Sequence, residues 1–72
     1  MERYRNSSGG SGVSAYEIGP NYIKVKFSST FRTYSYSFSR AGITHVEQMK
    51  RLAQRGSGLN TYINRYTKHL YD

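Results

Sequence analysis

One six-residue segment alternates apolar and polar side chains without interruption, and this alternation constrains the fold more than any other feature of the sequence. Ile23, Val25 and Phe27 are separated by single polar or amphipathic residues. Because successive side chains of a β-strand point to opposite faces, this segment is predicted to be a strand that buries those three side chains. The outward face of the strand would carry Tyr22, Lys24 and Lys26.

Two further β-type segments flank this strand and predict an antiparallel meander. Residues 13–18 precede it and end at residues 19–21, a Gly-Pro-Asn sequence typical of a tight turn. Residues 31–38 follow it after a short polar connection. Because short connections join neighbouring antiparallel strands, the three segments predict a three-stranded sheet with one apolar face. The third strand would add Tyr34, Tyr36 and Phe38 to that face.

A helical pattern over about residues 45–55 comes next and would cover the apolar face of the sheet. Thr44 and Glu47 have the spacing of a capping box, in which two side chains satisfy the free amides of a helix start. Gly56 is expected to end the helix. The side chains that recur at helical spacing, and would therefore be buried, are Val46, Met49, Leu52 and Ala53.

A second helical pattern follows the Ser-Gly pair at residues 57–58. Its apolar positions lie at i, i+4, i+7 and i+11, which is the spacing of one helix face. The predicted fold class is therefore α+β: a three-stranded antiparallel β-meander followed by two helices packed on one face, in the order β-β-β-α-α. The apolar positions of the second helix are Leu59, Ile63, Tyr66 and Leu70.

The length of the chain, 72 residues, suits one small domain. Residues 1–12 end in a Ser/Gly-rich stretch and show no periodicity, so they are predicted to be a flexible N-terminal segment outside the fold. Residues 13–72 would form the single domain. With no cysteine and no segment of membrane-spanning length, a soluble cytoplasmic protein is expected, in the host cytoplasm if the protein is viral.

Charge is the strongest global indication of function. Eleven Lys and Arg against four Asp and Glu give a net charge of +7 and an isoelectric point near 10.0. Most of this excess belongs to residues 13–72 and not to a basic tail. A field of this sign attracts phosphate backbones or other anionic surfaces. The alternative is that the charge only keeps a small protein in solution.

The order and spacing of several apolar and aromatic residues resemble those of the KTSC domain. This small module occurs at the carboxyl end of some lysyl-tRNA synthetases and as a free-standing protein of bacteria and their viruses. The similarity covers residues 11–66, although Ala-Gly-Ile at residues 41–43 replaces the usual Val-Pro of the family and the second turn lacks its usual glycine. The resemblance implies the predicted fold and RNA binding. The residues that carry it are Val13, Tyr16, Ile23, Val25, Phe27, Tyr34, Tyr36, Gly56, Leu59, Asn60 and Ile63.

Two surfaces offer the cations, hydroxyls and aromatic rings that bind nucleic acids, namely the outward face of the sheet and the polar side of the helices. The outward face is equally compatible with a solvated surface that resists edge-to-edge pairing. The aromatic stripe on the third strand has the spacing of a base-stacking platform, but its position under two helices favours a core role. The candidate nucleic-acid-binding residues are Tyr22, Lys24, Lys26, Arg32, Lys50, Arg51, Arg55, Arg65 and Lys68.

Catalysis, cofactors and metals find little support in the sequence. Ser57 has no recognisable His and carboxylate partners, and His45 and His69 have no acidic cluster beside them. We therefore expect a non-catalytic module, without cofactor or metal, that binds nucleic acid and prefers RNA to DNA. The alternative function is a small protein-interaction adaptor that docks an acidic protein partner or associates with itself.

Overall fold

Four strands and two helical units follow one another along the chain. The computed structural model describes residues 1–6, 12–30 and 32–72. The strands pair in chain order, and every pairing is antiparallel. The elements are β1 (Glu2–Arg3), β2 (Val13–Ile18), β3 (Tyr22–Phe27), β4 (Thr33–Ser37), α1 (Ile43–Arg55) and α2 (Leu59–Tyr62), which continues as a π-helical segment (Ile63–Thr67).

The register of the sheet follows from the alternation in the sequence. Ile23 lies opposite Ile18 on β2 and opposite Tyr36 on β4, and Val25 lies opposite Tyr34. Ile23, Val25 and Tyr36 are almost completely buried under the helices. The predicted α+β fold, an antiparallel meander covered by two helices, is confirmed. The aromatic stripe predicted on the third strand, which is β4 in the structure, belongs to the core. Phe31, at the predicted start of that strand, lies outside the described residues.

The sheet has four strands and not three, because the N-terminal residues join it. Glu2 and Arg3 pair with β2, and the amide of Tyr4 donates to the carbonyl of Ser14 at 3.0 Å. The Tyr4 side chain is only 3% exposed. The prediction that residues 1–12 stay outside the fold is therefore wrong for this part, since a strand of two residues is too short to show periodicity. Residues 7–11 lie outside the described part of the chain.

Helix α1 buries the side that the sequence predicts. Val46, Met49, Leu52 and Ala53 are all buried. As predicted, Gly56 ends the helix, with a φ of 81° and an amide that bonds back to the last turn.

The start of α1 differs from the prediction. The helix begins at Ile43, after Gly42 with a φ of 98°, and no side chain caps it. The predicted capping box of Thr44 and Glu47 is therefore wrong, because both residues already lie inside the helix. Glu47 instead forms an ion pair with Lys50 at 3.1 Å. A glycine with a positive φ, a conformation that other residues rarely adopt, thus precedes the helix where a side-chain cap was predicted.

The second helical unit buries Leu59 and Ile63 as predicted and then departs from the α-helical pattern. The π-helical segment has more residues in each turn, which moves the buried position one residue along the chain. Thr67 is consequently buried and donates a hydrogen bond to the Met49 sulfur at 3.6 Å. Tyr66, predicted to face the core, is 52% exposed, so that part of the prediction is wrong.

Alkaline pH is expected to destabilise this tyrosine-rich core. Burial raises the pKa of Tyr36 from 10.0 to about 12, so the folded protein disfavours tyrosinate. The difference between the folded and unfolded pKa contributes roughly 2–3 kcal/mol to the free energy of unfolding. This contribution is complete below pH 10 and is lost as the pH rises through about 12. Urea unfolding followed by circular dichroism across this range measures the loss. Tyr36→Phe is the control and should show a smaller pH dependence; equal slopes for both proteins would contradict the assignment.

Candidate nucleic-acid interface

The carboxylates of the chain are bonded mostly to hydroxyl groups and not to cations. Within residues 1–6, 12–30 and 32–72 one ion pair forms, between Lys50 and Glu47. Ten of the eleven Lys and Arg side chains therefore have no carboxylate partner, and the net charge of +7 is not locally neutralised. The hydroxyl donors and their acceptors are Tyr16 to Glu2 at 3.0 Å, Tyr22 to Glu17 at 3.0 Å and Ser37 to Asp72 at 2.7 Å.

The outward side of the sheet brings three predicted residues together. Alternate positions of β3 carry Tyr22, Lys24 and Lys26. The Lys24 ammonium lies 5.5 Å from the centroid of the Tyr22 ring. Arg3 joins this row, because Arg3 and Lys26 both lie opposite Ala15 on β2. We call Arg3, Tyr22, Lys24 and Lys26 the strand face. The β4 residues opposite it are Ser37, Ser35 and Thr33.

Carboxylates lie within the strand face and at its border. Glu17 is opposite Lys24 in the register and accepts the Tyr22 hydroxyl. This hydrogen bond, together with the carboxylate charge, raises the pKa of Tyr22 above its usual value. Asp72 reaches Ser37 at the neighbouring strand. The positive potential of the strand face is therefore reduced by two nearby negative charges.

Arg32 lies apart from the lysines of the strand face. Its side chain is exposed, and its backbone amide donates to the Thr30 hydroxyl at 3.1 Å. It lines a shallow cleft of about 270 Å³ that also contains Tyr34, Tyr71 and Asp72. A carboxylate therefore accompanies the Arg32 cation in this cleft.

Lys50 is held by the fold itself. Its side chain is only 14% exposed and pairs with Glu47, and the ammonium donates to the Pro20 carbonyl at 3.5 Å. The same ammonium lies 5.1 Å from the centroid of the Phe38 ring. Helical periodicity places Lys50 on the polar side of α1, but it cannot show that this side meets the end of the sheet. The structure thus leaves Lys50 little freedom to contact a ligand.

The exposed side of α1 presents arginines without carboxylate partners. Arg51 and Arg55 are one helical turn apart, and both are exposed. Their hydrogen bonds go to neutral groups: Arg51 donates to the Gln48 amide oxygen at 3.5 Å, and Arg55 donates to the Ser57 hydroxyl at 3.2 Å. Each guanidinium has five N–H donors, so most of the donors stay available.

Arg5 adds a third guanidinium at the end of the same helix. It donates to the carbonyl of Gln54 and to that of Arg55, the latter at 3.2 Å. These carbonyls lie in the last turn of α1, where free acceptors and the helix dipole favour a cation. Sequence reasoning missed Arg5 because it excluded the N-terminal residues. We call Arg5, Arg51 and Arg55 the arginine stripe.

Three aromatic rings, one exposed and two half-buried, form a cluster beside the start of α1, and sequence reasoning missed it as well. The rings of His45 and Tyr66 are stacked, with centroids 6.0 Å apart and an angle of 28°. Tyr62 lies against Tyr66 at 4.7 Å, and its hydroxyl shares a 2.7 Å hydrogen bond with His45 Nδ1. Burial, followed by the proximity of Tyr66, raises the pKa of Tyr62, so its hydroxyl is neutral at neutral pH. We call His45, Tyr62 and Tyr66 the aromatic platform.

An open groove connects the aromatic platform with the arginine stripe. Its volume is about 510 Å³, and it contains Tyr62 of the platform and Arg51 of the stripe. The side chain of Ile43, which also lines it, is 61% exposed. The remaining lining residues are Thr44, Glu47 and Gln48.

Arg65 and Lys68 do not line this groove. Arg65 is exposed on the π-helical segment, and Lys68 follows that segment. Lys68 lines a different open groove, of about 430 Å³, together with His69, Tyr34 and Tyr71. The predicted residues are thus divided between the strand face, the arginine stripe and separate positions.

Comparisons of the chain with models of protein families, with curated proteins and with solved structures found no match. The resemblance to the KTSC domain therefore stays a prediction. In the part of the chain that the structure describes, no helix has the length and apolar character needed to cross a membrane. Across those same residues, no three His, Asp or Glu side chains come together as a metal site would require.

Proposed function

We propose that this chain is a non-catalytic nucleic-acid-binding module that holds phosphates through arginine and lysine side chains. One observation carries the proposal. All Lys, Arg, Asp and Glu residues lie in the described part of the chain, and there ten of the eleven cations lack a carboxylate partner, while three of the four carboxylates are bonded to hydroxyl groups. Cations that are not neutralised within the fold remain free to exchange their counterions for phosphates. The KTSC-like pattern favours RNA over DNA as the ligand.

The arginine stripe is the better candidate for the main contact surface. Glu17 and Asp72 lie in and beside the strand face. The carboxylates nearest to the stripe in the sequence are Glu2, which accepts the Tyr16 hydroxyl, and Glu47, which is paired with Lys50. Guanidinium groups also match the geometry of phosphate oxygens by donating two parallel hydrogen bonds. The strand face would then provide weaker, additional contacts.

A salt titration tests the proposal directly. RNA binding by the unmodified protein should be measurable at low ionic strength and should weaken linearly in a plot of log affinity against log salt. Each phosphate contacted on a single strand contributes about 0.7 to the magnitude of the slope, so the three arginines of the stripe predict a slope of about −2. Absence of binding at low salt would refute the proposed function.

An acidic protein partner is the rival ligand, and polyglutamate distinguishes it from RNA. Both polymers are anionic, but only RNA offers phosphate oxygens, ribose hydroxyls and bases. If the proposal is right, RNA should bind at least about tenfold more tightly than polyglutamate of equal charge at the same salt concentration. Equal or tighter binding of polyglutamate would favour the adaptor function instead.

A further inference from the structure

We propose that the aromatic platform stacks an unpaired base, and that the ligand is therefore a single-stranded nucleic acid and not a duplex. This inference rests on the proposed function and specifies its ligand. It comes from the ring of Tyr66, which the π-helical segment turns out of the core so that it is 52% exposed. Bases stack on exposed aromatic rings only when they are not already paired and stacked inside a helix.

The platform is held in place before any ligand binds. The Tyr66 ring contacts two other rings, with centroids 4.7 Å from Tyr62 and 6.0 Å from His45. The 2.7 Å hydrogen bond between Tyr62 and His45 links the second helical unit to α1. A ring that is already fixed loses little conformational entropy when a base stacks on it, and this favours binding.

The position of the platform suits a nucleotide and not merely an apolar group. The groove is lined by Ile43, Tyr62 and Arg51, and Arg55 lies one helical turn beyond Arg51 along α1. Tyr66 lies against Tyr62, which lines this groove, so the sugar–phosphate chain of a base stacked on Tyr66 would lie near Arg51. Glu47 also lines the groove, but its charge is paired with Lys50 at 3.1 Å. Aromatic rings next to unpaired guanidinium groups therefore match both parts of a nucleotide.

The deciding experiment compares a short oligouridylate with an abasic oligomer that has the same number of phosphates. Binding is measured by fluorescence anisotropy at low salt for the unmodified protein, for Tyr66→Leu and for the matched control Tyr71→Leu. Tyr71 is also partly exposed, at 38%, but it packs on Tyr34 away from the platform. Leucine keeps apolar bulk and removes the aromatic face, and circular dichroism verifies that each variant is folded.

The unmodified protein should bind the oligouridylate roughly tenfold more tightly than the abasic oligomer, which corresponds to the stacking of one base. Tyr66→Leu should remove this difference without changing the salt slope, and Tyr71→Leu should retain it. Equal affinity of the unmodified protein for the two oligomers, or an unchanged preference in Tyr66→Leu, would overturn the base-stacking role and leave the proposed function intact. Failure to bind either oligomer at low salt would overturn both proposals.

Discussion

Replacing Tyr4 with alanine is expected to lower the free energy of unfolding by about 3–5 kcal/mol, the usual cost of deleting a buried aromatic ring. The side chain is 3% exposed and belongs to the same core cluster as Val13 and Leu59. A domain of this size has a total stability of roughly 4–11 kcal/mol, so the variant should lose a large fraction of its stability and unfold at a much lower urea concentration. Urea denaturation followed by circular dichroism measures the change.

Tyr4→Phe separates the contribution of the ring from that of the hydroxyl. The Tyr4 oxygen accepts a hydrogen bond from the backbone amide of Leu59 at 3.2 Å, and Leu59 is completely buried. Loss of this acceptor leaves a buried donor unpaired, which should cost about 1–3 kcal/mol while the core stays filled. If Tyr4→Ala unfolds at the same urea concentration as the unmodified protein, the N-terminal residues do not belong to the fold.

The double variant Arg51→Gln with Arg55→Gln should lose roughly a hundredfold in RNA affinity at low salt, since each charged hydrogen bond to phosphate contributes at least about 1.4 kcal/mol. The magnitude of its salt slope should fall by about 1.4, which is the loss of two phosphate contacts on a single strand. Both side chains are exposed, and neither forms an ion pair within the described residues. The stability of the protein should therefore change little.

Lys24→Gln with Lys26→Gln is the matched control for that variant. It removes the same amount of charge from the strand face, on the opposite side of the sheet from the helices. If the arginine stripe is the main contact surface, this variant should bind RNA only a few-fold more weakly than the unmodified protein. An equal loss in both variants would show that net charge, and not the arrangement of the stripe, determines the affinity.

The fold was largely predictable because its main elements carry strong periodic patterns. Alternation over residues 22–27 specifies a strand with one buried face, and Ile23 and Val25 are both 0% exposed. Helical spacing likewise identified the buried side of α1, and Gly56 marked its end. Each pattern extends over several residues, so it is unlikely to arise by chance. In these segments the secondary structure that the residues favour is also the one that buries their apolar side chains.

The features that escaped prediction depend on contacts between distant parts of the chain. Strand β1 has two residues, and only its pairing with β2 and the burial of Tyr4 identify it. The π-helical segment places Thr67 against the Met49 sulfur, a contact that helical spacing in the sequence does not reveal. A two-residue strand and a one-residue change of helical phase leave almost no periodic signal.

The candidate site was predictable in its residue types and much less so in its arrangement. The positive charges in the sequence pointed to Arg51 and Arg55 as candidate binding residues. They pointed equally to Lys50, which the sheet partly covers. Arg5 belongs to the arginine stripe only because β1 brings the N-terminal residues to the end of α1. The aromatic platform depends on the exposure of Tyr66 within the π-helical segment, where regular helical spacing predicts burial.

Mapping the backbone amide shifts of the ¹⁵N-labelled protein during titration with a short single-stranded RNA tests the central claim most directly, because it reports both whether binding occurs and which surface is involved. The arginine stripe and the platform predict the largest shifts in α1 from Gln48 to Arg55, at Ser57 and near Tyr66, with β3 nearly unaffected. Shifts confined to the strand face, or no shifts at low salt, would contradict the account.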